Sequence, residues 1–336
     1  MVSTKIGRYW TVLIRKPPLI TENGGLEMPR KLHIIGELMN NSYARARRAF
    51  MERNPAGYQE LARLQSEASA DYLTLNLDGT QRIQVRRQEM LDFLPEVIPA
   101  IQEVSSTPIA FDNPSVDYHR VALKHYDRAK SGPPILNSLA ASRERLDEMV
   151  ELVKHYDTLV VVMASETFAP DGTAQCLNPQ DSYRAAKYFV ELLVTTAGRR
   201  NDQIIIDTGL APVGADTYGL INIGLDAMRL ISADPDFKGV HLVVGLSNFA
   251  WGTPKTVKYD LEKAYLTLGM EAGLNFAIAN PEMHPAPLAL DHPMVTRLRE
   301  ALAEGRTQEG ESTEISGFRQ AEAIMNICRE TEAVDF

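Results

Sequence analysis

The chain has 336 residues, with 35 Lys and Arg against 44 Asp and Glu and a formal net charge of −9. That acidic balance argues against a phosphate-backbone binder, whose footprint is a basic stripe, and 44 % apolar content argues against a wholly disordered chain. Cys176 and Cys328 make neither a disulfide framework nor a CxxC pair, and no apolar run approaches the about 18 residues of a membrane span. The N-terminal MVSTKIGRYWTVLIRK is basic but lacks a long apolar stretch and a small-residue cleavage site, so it does not read as a signal peptide. A soluble cytoplasmic protein is expected.

Residues 1–30 read as an N-terminal extension, with GRYWTVLI as a short strand across a barrel floor and then the Pro/Gly-rich KPPLITENGG. From 31 to 290 two kinds of segment alternate. Short apolar runs of strand length lie at 32–36, 72–77, 108–111, 134–137, 159–163, 203–206, 240–246 and 274–279. Between them run stretches of helical period; in RERLDEMVELVKHY (143–156), Leu146, Met149, Val150 and Val153 share one face. Ser142, Pro114-Ser115 and Asn178-Pro179 mark helix starts. Continuous apolar strands imply parallel strands buried on both faces. Eight βα units predict an α/β fold, a closed (β/α)8 TIM barrel with short N-terminal and C-terminal extensions, rather than an open doubly wound sheet with a Gly-rich first turn. The polar segment 305–314 (GRTQEGESTE) reads as mobile, 315–329 as a closing helix, and 291–336 together as a C-terminal helical extension.

Barrel enzymes carry their chemistry at the C-terminal ends of the strands. There the chain places Glu37, Asn76, Asp112, Asn137, Ser165 with Glu166, Asp207, Asn248 and Asn280. Any one of these could simply cap the next helix. Eight in succession on one rim are harder to explain that way, because buried unpaired carboxylates and amides are costly. No His, Cys or Lys stands at a strand end, which leaves a Ser or Cys nucleophile with a His base, or a Schiff-base lysine, unsupported. Carboxylates and amides suit a flat heterocycle with alternating donors and acceptors, because Asp accepts two N–H groups side by side and Asn offers one donor and one acceptor. A pterin is such a ligand.

The sequences IIGELMN (34–40), LTLN (73–76), PIAFDNPS (108–115), PPILNS (133–138), IIIDTGLAPV (204–213), VVGLSNFAWG (243–252) and LGMEAGLNFAIANP (268–281) resemble the pterin-binding methyltransferases. Among these the chain is most similar to the methyltetrahydrofolate:corrinoid protein methyltransferases, with the folate module of cobalamin-dependent methionine synthase as a relative. The resemblance implies that Asp112, Asn137 and Asp207 hold the pterin ring and that Asn248 reaches toward N5, where the methyl group sits. Glu37 and Asn40 match the GE-x-x-N opening, and Asn76 matches the asparagine of the second strand. The implied reaction moves a methyl group between N5 of a reduced pterin such as tetrahydrofolate and the cobalt of a corrinoid (cobalamin) held by a partner protein. Asn248 is the residue implied in catalysis, no metal is held by the chain itself, and the expected assembly is a homodimer without nucleic acid or membrane.

The chain departs from that family at Thr74, where LDLN is common, and at the bulky Phe249-Ala250-Trp251 after Asn248. Phe249 and Trp251 read either as an apolar lip for the partner or as packing against a neighbouring helix. The sibling dihydropteroate synthases are set apart by their DSF loop, DxGGEST-type loop and late Ser-x-Arg phosphate grip, all missing here. Two alternatives stay open. One is the first methyltransferase of a corrinoid-dependent demethylation system acting on a methoxylated or methylated compound with zinc, for which Glu271, His292 and Cys176 are the candidate residues. The other is a non-catalytic pterin-binding subunit. Arg45–Arg53 reads as a solvated helix face, His119 and His125 as surface residues of one helix, and the methionines as core filler.

Overall fold

The computed structural model describes residues 31–334, so the N-terminal extension and its expected strand fall outside the described residues. The strands are β1 (His33–Asn40), β2 (Tyr72–Asn76), β3 (Ile109–Asp112), β4 (Ile135–Leu139) and β5 (Leu159–Met163), then β6 (Glu166–Ala169), β7 (Gly172–Gln175), β8 (Ile204–Asp207), β9 (His241–Gly245) and β10 (Phe276–Ala279). Eight of them close a barrel in the order β1-β10-β9-β8-β5-β4-β3-β2, every pair parallel, with helices between them. This is the (β/α)8 barrel expected from the alternation of apolar runs and helical stretches. β6 and β7 form an antiparallel hairpin inserted after β5. Its short strands escape the sequence reading because they carry no apolar run.

Side chains alternate faces along a strand. Ile35, Ala110, Ile135, Val161, Ile205, Val243 and Phe276 meet inside the barrel as one apolar cluster, with Tyr72, Leu159 and Ile278 packed against it. Their neighbours Leu73, Ile109, Leu136, Val160, Ile204 and Leu242 belong to the larger core between strands and helices. Both faces of each strand are therefore apolar, which is why the sequence shows runs rather than alternation. Two residues beyond the interior cluster the same face carries Glu37, Asp112, Asn137, Met163 and Asp207, so the polar rim sits directly on the barrel plug.

Two bulges adjust that rim. β1 slips register against β2 between Gly36 and Met39, and β4 slips against β5 between Asn137 and Leu139. A bulge re-aims the side chains after it. In β1 it lets both Glu37 and Asn40 face inward, three positions apart, with Asn40 level with Asn76 on β2. The amide of Leu38 inside the bulge donates to Oε1 of Gln65, a fully buried glutamine, at 2.9 Å.

The helix over Val116–His125 starts where Pro114-Ser115 places it, and Asn178 caps the helix Pro179–Ala197 by accepting from the Asp181 amide at 2.9 Å. The helix expected over 143–156 is shorter, Leu146–His155, and buries Met149, Val150, Leu152 and Val153. His119 corrects an expectation. It shares a face with Val116, Ala122 and Leu123 and is fully buried; its Nε2 lies 2.8 Å from the Asn113 carbonyl, and burial pushes its pKa down to about 4. His125 is half-buried. In the helix Ala44–Met51, Ala46, Ala49 and Phe50 are buried while Arg45 and Arg48 are exposed, as expected of a solvated basic face.

After β10 the helices Pro293–Glu304 and Thr313–Val334 pack on each other and on the helix Lys255–Glu271. The polar segment between them carries more contacts than its composition implies. Arg319 donates to the Glu304 carbonyl at 2.7 Å and the Arg306 carbonyl at 2.8 Å, and pairs with Glu311. Gln320 donates to Oδ2 of the buried Asp216 at 2.6 Å, and Asp216 in turn accepts the Leu220 and Ile221 amides that open the helix Leu220–Ala233. The C-terminal helix thus fixes the loop that follows β8. No helix among the described residues is long and apolar enough to cross a membrane.

Candidate functional site

Asn76, Asp112 and Asn137 follow one another across three adjacent strands. Asn76 Nδ2 donates to Asp112 Oδ2 at 3.0 Å, while its own Oδ1 accepts the Asp78 amide at 2.9 Å. Asn76 is thereby locked, and its amide points at the aspartate. Asp112 pairs in register with Asn137 on β4. Burial raises the Asp112 carboxyl above the usual carboxylate range; the Asn76 hydrogen bond opposes that, nearby Asp78 adds to it, and the Arg143 guanidinium opposes it. Asn137 is 6 % exposed, and no described residue hydrogen-bonds its side-chain amide.

Asp207 ends β8 and is 9 % exposed. Its Oδ1 accepts the Gly209 amide at 2.8 Å. Burial pushes its pKa up to about 6, against the Gly209 hydrogen bond and with the Asp112 charge adding to the rise. Asp112 and Asp207 face the same barrel mouth from the ends of strands on either side of β4 and β5. Each aspartate has one oxygen engaged by the protein and the other without a partner among the described residues. Gly209 has φ +80°, and a Cβ there would lie 2.7 Å from the Ser165 Cβ. Gly209→Ala is therefore expected to destabilise the fold by about 1–3 kcal/mol. A urea midpoint equal to that of the wild type would contradict this.

Glu37, 6 % exposed, is occupied on both oxygens: Oε1 accepts the Tyr43 hydroxyl at 2.5 Å and Oε2 accepts the Ser247 hydroxyl at 2.8 Å. Burial raises its pKa, opposed by those two hydrogen bonds and by Lys258. Asn40 spends its side-chain oxygen locally, accepting the Ser42 amide at 2.8 Å. Asn248 lies in the single turn Leu246–Phe249 after β9 and is exposed, and no described residue hydrogen-bonds its side chain. Its amide nitrogen folds back over Gly245, where a Cβ would stand 2.8 Å from it. Asn280 caps the turn after β10, accepting the Glu282 amide at 3.0 Å.

Phe249 is fully buried and packs on Tyr265 with ring centroids 4.6 Å apart, whereas Trp251 is 72 % exposed. Of the two readings of this pair, packing holds for Phe249. Sequence reasoning missed Arg143, which looked like part of a helix start. The residue lies ahead of the helix, half-buried, donating Nε to the Ser138 carbonyl at 2.9 Å and Nη2 to the Ser138 hydroxyl at 3.0 Å. Only the placement of Ser138 beside the rim reveals it.

Two of the residues weighed for zinc are engaged elsewhere. Glu271 pairs with Arg299 at 3.1 Å, and His292 Nδ1 accepts the Met294 amide at the start of a helix. Cys176 is buried and its thiol pKa is pushed up to about 11. Among the described residues no group of three or more His, Cys, Asp or Glu side chains could hold a metal ion.

The family model described as pterin binding enzyme matches residues 44–280. Solved structures with the same fold include a Yersinia pestis dihydropteroate synthase holding a pterine–sulfa conjugate, 14 % identical, TM-score 0.54, covering 79 % of this chain and 95 % of that one. The 7,8-dihydropteroate synthase of Vibrio fischeri is 17 % identical at TM-score 0.54, covering 82 % and 95 %. A dihydropteroate synthase from Clostridium difficile, crystallised in the presence of pteroic acid, is 18 % identical at TM-score 0.56, covering 76 % and 94 %. At such identities the likeness establishes the shared barrel.

Proposed function

The chain belongs to the pterin binding enzyme family, and from that premise we propose that it transfers a methyl group between N5 of a reduced, methyltetrahydrofolate-like pterin and a corrinoid protein. The observation that carries the ring assignment is the pair Asp112 and Asp207, each with one oxygen pinned and one available, flanking the uncommitted Asn137 amide. Ionised carboxylates accept the amino and ring N–H groups, and the amide supplies a donor and an acceptor beside them. Asn76 orients Asp112, and Asn40 lies level with Asn76 on the neighbouring strand. These contacts fix the ring so that the N5 methyl faces the mouth, which is orientation rather than acid–base work.

The tertiary amine of a reduced pterin leaves poorly unless N5 gains a hydrogen bond or proton as the C–N bond breaks. In this reading Asn248, whose side-chain amide is not committed to the protein, strengthens such a bond. The corrinoid on the partner would supply the methyl acceptor. A diphosphate-leaving reaction of the dihydropteroate synthase kind suits this rim poorly. Asp112 and Asp207 are acceptors, and the Arg143 guanidinium beside Asp112 is held on the carbonyl and hydroxyl of Ser138, whereas a diphosphate needs cationic grips.

Calorimetric titration with 5-methyltetrahydrofolate and with a pterin diphosphate tests the reading: binding of the first and not the second supports it, and the reverse overturns it. Turnover is also expected to survive prolonged chelation, since Glu271 and His292 are engaged elsewhere and Cys176 is buried. Stoichiometric zinc, with activity lost on chelation and restored by zinc, would instead favour the demethylation reading.

A further inference from the structure

The turn that carries Asn248 is tied to a buried carboxylate on the first strand. Ser247, the residue before Asn248, donates its hydroxyl to Glu37 Oε2 at 2.8 Å, and Tyr43 donates to the other oxygen at 2.5 Å. Two hydroxyl donors on one carboxylate fix its rotation, and through Ser247 they fix the turn. On the other side Gly245 makes room, because any Cβ there would stand 2.8 Å from the Asn248 amide nitrogen. Phe249, next in the turn, is anchored on Tyr265 and its carbonyl accepts the Val213 amide at 2.9 Å. The Asn248 side chain has no hydrogen bond from a described residue, while its backbone carbonyl accepts the Trp251 amide at 3.2 Å, so the direction of the side chain depends on these neighbours.

A buried carboxylate is costly to retain. An apolar side chain at position 37 would fill the rim without that cost, yet it could not hold Ser247 and Tyr43. The charged and titratable groups around Glu37 are Tyr43, Lys258 and Glu262, with Tyr259 beside Tyr43; Lys258 Nζ lies 3.7 Å from Glu262 Oε1.

We propose that Glu37, Tyr43 and Ser247 are positioning residues that aim the Asn248 amide, and that Glu37 acts through this clamp rather than by touching the pterin. The proposal rests on the reading of Asn248 as the N5 contact. Misplacing a catalytic group by about an ångström can cost about 100-fold in rate. Ser247→Ala is accordingly expected to lower kcat about 10- to 100-fold while the Kd for 5-methyltetrahydrofolate stays within about twofold. Ser247→Thr, which keeps the hydroxyl, should restore most of the rate.

A double-mutant cycle separates positioning from general damage. If Ser247 acts only through Asn248, adding Ser247→Ala to Asn248→Ala lowers kcat no further. Multiplicative losses in the cycle, or a wild-type kcat in a folded Ser247→Ala protein, would overturn the proposal. A readout independent of turnover is the Asn248 side-chain amide resonance, identified by its loss in Asn248→Ala. It should shift and broaden in Ser247→Ala and Tyr43→Phe, and an unchanged resonance overturns the clamp. Wild-type protein that transfers no methyl group would sink the methyl-transfer reading alone, and the resonance would still decide the clamp.

Discussion

Replacing Asp207 by Ala is expected to weaken binding of 5-methyltetrahydrofolate by about 2–4 kcal/mol, roughly 30- to 1,000-fold, because buried ring N–H groups lose a charged acceptor. The same residue links binding to stability with opposite signs. Its folded pKa, about 6, lies above the ordinary 3.8. The folded state therefore holds the proton more tightly, and Asp207 favours folding most below about pH 4. That contribution is lost as pH rises through about 6 and then stays constant. Raising a carboxyl from 3.8 to about 6 corresponds to about 3 kcal/mol. Asp207→Asn should therefore gain stability relative to the wild type across that window while losing pterin affinity, and wild-type affinity should rise over the same pH range. Urea denaturation at several pH values, read as the difference between the two proteins, checks the first half. A difference that does not change with pH contradicts it. Pterin affinity unaltered in both Asp112→Ala and Asp207→Ala would remove the ring assignment altogether.

Asn248→Ala should act on rate rather than on binding. Three other residues already fix the ring in the proposed complex, so the ground-state contact to N5 is weak. As the methyl group departs, N5 gains electron density and becomes a better acceptor, and the same amide contact strengthens. An interaction that grows toward the transition state, once removed, lowers kcat and kcat/KM together and leaves KM nearly unchanged. Losing one such donor costs about 10²–10³ in rate at other preorganised sites. Steady-state kinetics paired with a binding titration checks this. Wild-type kcat in the variant would leave Asn248 as a turn residue only, and a rise in KM with unchanged kcat would make it a ground-state contact.

The barrel was legible because burial on both strand faces writes itself as uninterrupted apolar runs, and each run from 32–36 to 274–279 became a barrel strand. The rim was legible for a related reason. The first polar residue after a run, on the inward parity, is where the plug gives way to the mouth, as at Asp112, Asn137 and Asp207. What stayed hidden depends on contacts between distant segments. The bulge that turns both Glu37 and Asn40 inward has no signature in IIGELMN, and the tie from Glu37 to Ser247 spans most of the chain. Arg143 joins the rim through Ser138, and His119 is buried because it falls on the inner face of its helix. The hairpin β6–β7 is solvent-facing along β7 and so lacks the apolar pattern on which strand recognition relies.

The most direct test of methyl transfer at this rim is a single-turnover mixing experiment with 5-methyltetrahydrofolate and cob(I)alamin, following the cobalamin spectrum under anaerobic conditions. The account predicts conversion to methylcobalamin stoichiometric with protein-bound pterin, and conversion slowed by about 10²–10³ in Asn248→Ala. Tight pterin binding with no change in the cobalamin spectrum over the same time would contradict it.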